Sequence, residues 1–244
     1  MEQPEKEQPK EKVYSMSFVD HLEELRWRLF KAVLAVVIMA IAAFYFSDEL
    51  FRFLIIPLGD VKLHVTEVTG SFYAYLKVSF FAGIFGALPV VFYQLWTFIS
   101  PGLYKHEKKV VIPLVVISSL LFLAGATFCY YIVLPLALKF LIGFSGELLN
   151  PIITVGSYIS FTGLLLIAFG FAFELPIVAF FLGKIGLVSS RFMAKGRRYA
   201  IVAILILGAI ITPPDVFTQV LLAIPIYLLY EISIIIVRLT GKKG

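Results

Sequence analysis

The sequence predicts an all-α, polytopic membrane protein: a bundle of six transmembrane helices with an N-terminal amphipathic helix and two short last spans. Three observations predict it. Hydrophobic residues make up 60% of the 244-residue chain and charged residues 15%, against the roughly 25% charged of an ordinary soluble domain. Apolar runs long enough to cross a hydrocarbon core recur along the chain, separated by short polar loops. Lys and Arg are concentrated in alternate loops, the pattern that sets orientation across a bilayer.

Residues 1–15 are rich in Glu, Lys, Gln and Pro and lack an apolar signal-peptide core, so a disordered, solvated tail is expected there. Ser17 and Asp20 fit a helix-capping box, and Phe18, Leu22, Leu25 and Leu29 then recur on one helical face. Asp20, Glu23, Glu24, Arg26 and Arg28 occupy the other side, so an amphipathic helix is expected at the membrane surface before the chain turns into the first span. The transmembrane domain is expected over 16–240, with spans near 29–46, 72–99, 110–131, 158–182, 199–211 and 216–237 and a short tail at 241–244.

Loop 47–71 carries Pro57, Gly59, Asp60 and Gly70, which suits a partly folded cap. Pro89 predicts a kink in the second span and Pro135 a bend in the third. The fifth apolar run has only thirteen residues, bounded by Arg198 and Thr212, short of the about 20 that a spanning helix needs. Gln219, Pro225 and Glu231 interrupt the sixth, so the bilayer is expected to thin beside this pair.

With six spans, seventeen Lys and Arg residues fall on one side and only Arg52, Lys62, Lys77 and Lys139 on the other. That asymmetry places both termini in the cytoplasm, with the protein in the inner membrane. The basic residues sit at span ends, where they meet lipid headgroups; no nucleic-acid groove is formed. Cys129 is the single cysteine and lies in an apolar run, which leaves no cysteine-based metal site. His21, His64 and His106 all lie outside the spans, and no two carboxylates are placed to share a proton at membrane depth. Neither an enzyme nor a metal or other cofactor is therefore expected.

Three groups of polar residues remain. Glu174, beside Pro176, is an ionisable residue inside a span, where burial costs at least about 2.5 kcal/mol without a partner or cavity. It is either a neutral carboxyl hydrogen-bonded to another helix or a functional group, and Gln94 is a candidate neighbour. Glu24 and Glu107 are acids in basic surroundings. Local pairing suffices for them on spacing alone, and the alternative is recognition of a partner's guanidinium groups by bidentate hydrogen bonds. Asp215, Thr218 and Gln219 follow a Thr-Pro-Pro turn that reads as a helix cap.

Four segments, in order, then carry a family resemblance: HLEELR at 21–26, SPGLYKHEKK at 100–109, FELP at 173–176 and TPPDVFTQ at 212–219. With these, nearly the whole chain resembles TatC, the core subunit of the twin-arginine protein translocase. The resemblance implies a receptor for twin-arginine signal peptides on folded cargo, exporting it with the protonmotive force. It also implies small single-span Tat partners, self-association in a receptor complex, and contact with membrane lipid. By position it implies that Glu24 and Glu107 receive the two arginines, supported by Leu22, Arg26, Lys105 and His106. Glu174 corresponds to the family's intramembrane glutamate, and Asp215, Thr218 and Gln219 to a docking region for the single-span partners. The competing expectation is a proton-coupled secondary transporter with Glu174 as relay.

Overall fold

A computed structural model describes residues 18–99, 111–144, 152–212 and 215–240. Ten α-helices are formed among the described residues, and five helical stretches are long and apolar enough to cross a membrane. The molecule is a multi-pass membrane protein.

Helix α1 (Phe18–Phe44) runs unbroken from the charged first turns into the apolar stretch. The expected turn between a surface helix and the first span is absent, because no Gly or Pro interrupts these 27 residues and each backbone N–H finds its carbonyl one turn back. Its apolar side chains face outward, Ile41 at 70% exposure, which in a membrane means toward lipid. Helix α2 (Ser47–Ile55) and a 3₁₀ turn (Ile56–Leu58) follow, as a cap at that end of the bundle. Two tyrosines of the bundle hold the cap: the Tyr158 hydroxyl donates to the Leu54 carbonyl at 2.7 Å, and Tyr130 donates to Phe53.

Helix α3 (Gly70–Ile99) packs along α1 and continues through Pro89 for 30 residues. The close approach is set at Gly83, where a Cβ atom would lie 2.6 Å from the Ala40 backbone. Helix α4 (Val111–Phe128) passes into a π turn (Cys129–Val133) and then α5 (Leu134–Gly143). Pro135 explains the wide turn: it has no N–H for the Tyr131 carbonyl, so the helix loosens one turn before it. Gly125 lets α4 approach α6 (Val155–Phe173), with a Cβ there only 2.5 Å from the Phe169 carbonyl oxygen.

The fourth span is divided. Helix α6 ends at Phe173, Glu174 occupies the break, and α7 (Leu175–Lys184) starts with Pro176 in its first turn. A short α8 (Ser190–Lys195) leads into α9 (Arg197–Ile211), which at 15 residues is about 22 Å long. Helix α10 (Val216–Thr240) is continuous over 25 residues, with Pro225 inside it. The polar residues that interrupt its apolar pattern do not break the helix, since two of them are held by α9, as described below.

Candidate functional site

The first turns of α1 place His21, Glu24 and Arg28 on one face, by the i, i+3 and i+7 spacing of a helix. The His21 ring stacks on Phe98 in the last turn of α3, with ring centroids 4.4 Å apart. This stacking turns the Glu24 side of α1 toward the end of α3. Arg28 donates to Glu24 Oε1 through Nε at 2.9 Å and through Nη2. Oε2 is shielded from solvent and has no hydrogen-bond partner among the described residues; His21 Nδ1 lies 3.8 Å from it. A half-buried carboxylate thus keeps one oxygen unsatisfied, which is costly unless a donor arrives.

The surrounding residues divide by face. Leu22 is exposed beside Glu24. Arg26 points elsewhere, 3.5 Å from Glu23 and over the Trp27 ring at 5.7 Å. Lys105, His106 and Glu107 lie outside the described residues, on the segment that directly follows α3 in sequence.

Glu174 is 6% exposed, at the break between α6 and α7. Ser118 of α4 lies within hydrogen-bonding reach of its carboxyl, and the Trp96 indole of α3 donates to the same Ser118 hydroxyl at 3.0 Å. Oε1 of Glu174 has no partner among the described residues. The α3 member of this buried group is Trp96; Gln94 is half-buried and lies about 200° around the helix from it. The sequence singled out Glu174 but could not find Ser118 and Trp96, which are 56 and 78 positions away and are polar only at one atom each.

Asp215 closes the start of α10. Its carboxylate accepts from the Thr218 backbone N–H at 2.7 Å and from the Thr218 hydroxyl, which satisfies one orphan donor of the helix. Thr218 is buried, and the Gln219 side chain donates to the Leu205 carbonyl of α9 at 2.8 Å. These three residues therefore shape the α9–α10 hairpin from within. At the other end of the hairpin Arg197 grips Glu231 with two parallel bonds, Nε to Oε1 at 2.7 Å and Nη2 to Oε2 at 2.8 Å. The Tyr227 hydroxyl adds a third at 2.7 Å. Sequence reasoning noted Glu231 only as an interruption, because its partner lies 34 residues back.

An apolar groove of about 320 Å³ opens between the α2 cap and α3, α4 and α6, lined by Leu50, Phe53, Val78, Phe81, Tyr130 and Leu166 among others. Among the described residues no group of acids, histidines and cysteine could hold a metal ion.

Comparison with known proteins gives consistent results. A family model described as Sec-independent protein translocase protein (TatC) matches residues 20–225. The chain is 46% identical to the Sec-independent protein translocase protein TatC of Aquifex aeolicus over 234 residues, covering 93% of this chain and 97% of that one. It is 44% identical to the protein of that name from Desulforapulum autotrophicum, covering 93% and 86%, and 46% identical to that of Campylobacter jejuni, covering 89% and 92%. A crystal structure of the twin arginine translocase receptor TatC superposes with a TM-score of 0.83 at 47% identity, covering 90% of this chain and 99% of that one.

Proposed function

The chain belongs to the TatC family of Sec-independent protein translocase proteins, and from this premise we propose that its α1–α3 end receives the paired arginines of a signal peptide. A family member of this kind is a component of a protein translocase and not an enzyme. Membership also displaces the reading of Glu174 as the relay of a small-solute transporter.

The observation that carries the proposal is Glu24 Oε2, shielded and without a partner among the described residues, on a face fixed by His21 against Phe98. A peptide guanidinium brings planar donors of fixed geometry to such an oxygen, and the resulting charge-assisted bond is about twice as strong as a neutral one. A lysine ammonium offers a point charge without the fork, which explains selection for arginine. Glu107 is assigned the second arginine on its place in the SPGLYKHEKK segment, and Leu22, Arg26, Lys105 and His106 are assigned supporting roles at the same cytoplasmic end. The apolar stretch that follows the arginines in a signal peptide is assigned to the apolar groove beside α3 and α4.

Glu174 is assigned a role in accommodating polar guest groups at membrane depth, since its Oε1 has no partner among the described residues where α6 breaks. Small single-span Tat subunits are assigned to the outer face of α9 and the start of α10, around Asp215, Thr218 and Gln219. The 15-residue α9 leaves the bilayer thin there. Self-association in a receptor complex, residence in the inner membrane and cytoplasmic termini complete the reading; the charge asymmetry supports the last.

The test is binding of a purified signal peptide, in Arg-Arg and Lys-Lys versions, to the chain in nanodiscs and to its Glu24→Ala/Glu107→Ala variant. Binding that requires both the arginines and the two glutamates is expected. Equal binding in all four combinations sinks the assignment.

A further inference from the structure

Three helices end around one cavity at the basic end of the bundle. Lys184 closes α7, Arg197 opens α9 and Arg238 lies in the last turn of α10; with Arg191 of α8 they line a space of about 840 Å³. Its floor is apolar, made by buried Ile234 and Val237. Gly186, at φ +80°, ends α7 sharply and turns the chain around the rim.

The charges of this cavity do not balance. Arg197 is neutralised by Glu231. Lys184, Arg191 and Arg238 form no ion pair among the described residues. Between 175 and 240 the acids are Asp215 and Glu231 alone, and Asp215 caps the opposite end of α10. Three cations around one space repel one another unless an anion is shared between them.

We propose that this cavity binds the phosphodiester headgroup of an anionic membrane lipid. Its depth selects a lipid over a soluble anion: the ends of spanning helices form it, so it lies at the level of the headgroups. The apolar floor suits the glycerol and first methylenes, and exposed Leu187, Phe192, Ile235 and Leu239 continue an apolar surface nearby for acyl chains. Basic pockets between spanning helices hold anionic headgroups by this combination of charge and adjoining apolar wall. The inference rests on the chain spanning a membrane and is independent of the signal-peptide reading.

The experiment is native mass spectrometry of the purified full chain, titrated with phosphatidylglycerol or phosphatidylcholine. Wild type is expected to retain phosphatidylglycerol preferentially. Each cation removed is expected to weaken that binding roughly fivefold, so Lys184→Gln/Arg191→Gln/Arg238→Gln weakens it by roughly 100-fold and leaves phosphatidylcholine unchanged. Lys195→Gln/Arg198→Gln removes charge from the same end without touching the cavity lining and is expected to change nothing. The single variant Arg191→Gln, an exposed position on a short helix, is expected to show its fivefold loss even where the triple variant fails to fold. Unchanged phosphatidylglycerol binding in Arg191→Gln, equal loss in Lys195→Gln/Arg198→Gln, or displacement of the lipid by millimolar inorganic phosphate overturns the assignment.

Discussion

Two arginine–glutamate pairs use the same chemical groups in opposite ways. In Arg197–Glu231 both carboxylate oxygens are occupied, two bonds coming from the guanidinium and a third from Tyr227. In Arg28–Glu24 both guanidinium bonds fall on Oε1, and Oε2 is left shielded with no partner among the described residues. The first pair joins α9 to α10 across 34 residues. The second lies within one helical turn of α1 and joins nothing. A carboxylate can accept about four hydrogen bonds, so the closed pair has little left to offer a guest, and the open one retains acceptor capacity in a place where water is excluded. Saturation of the acid, more than the presence of an ion pair, separates a helix clamp from a receptive site.

The largest effect expected from this difference is on peptide binding. Glu24→Ala should weaken a twin-arginine peptide by about 30- to 150-fold, the worth of a charge-assisted bond of roughly 2–3 kcal/mol. Its thermal midpoint should hardly move, since an i, i+4 pair within one helix contributes only about 0.3–0.5 kcal/mol and this one ties α1 to no other element. Titration of labelled peptide beside a thermal melt reads both quantities. A large fall in midpoint at Glu24→Ala breaks the comparison by making that pair a clamp.

Next in size is Gly83→Ala, whose added Cβ meets the Ala40 backbone at 2.6 Å. Backbone cannot rotate aside, so α1 and α3 must separate, at an overpacking cost of about 1–3 kcal/mol. The separation also carries His21 away from Phe98, so peptide affinity should fall together with thermal stability. Glu231→Ala comes third and mirrors Glu24→Ala. Breaking a partly exposed but bidentate pair should cost about 1 kcal/mol and lower the midpoint by roughly 2–4 °C, with peptide binding unaltered. Loss of peptide binding at Glu231→Ala, measured on folded protein, shows that saturation is the wrong criterion.

The helices and their polar interruptions could be read directly from the sequence, because long apolar runs, Pro positions and charge clusters are local signals. The cap at Asp215 and Thr218 belongs to this class; the break at Glu174 does not, since the sequence reads as one span over 158–182 although Pro176 is a local signal for a break. Helix α1 runs on from Phe18 to Phe44 where the amphipathic pattern predicts a turn into the membrane; the absence of Gly and Pro there is the local signal for an unbroken helix. What stayed hidden depends on helices meeting far apart in sequence. Trp96 and Ser118 beside Glu174, and Arg197 on Glu231, are ordinary residues until packing brings their polar atoms together. The unoccupied Oε2 of Glu24 was equally invisible: sequence shows that Arg28 lies one turn away, but not that both of its donors choose the same oxygen.

The smallest effect expected is at Gly86, one turn beyond Gly83 on the same face of α3 and against the same helix. A Cβ there would lie 2.5 Å from Met39 Cε, the far end of a side chain with three rotatable bonds. Met39 is itself partly exposed toward lipid, so it has room to swing away. Replacing Gly by Ala within a helix gains up to about 1 kcal/mol of backbone propensity, which offsets the repacking. Gly86→Ala should therefore leave both the thermal midpoint and peptide affinity nearly unchanged, while Gly83→Ala lowers both. Equal losses at the two positions would mean that α1 and α3 are in fixed register along this whole face. In that case His21 on Phe98 is one contact in a rigid seam, and the setting of Glu24 is governed by the seam as a whole more than by the stacking at its end.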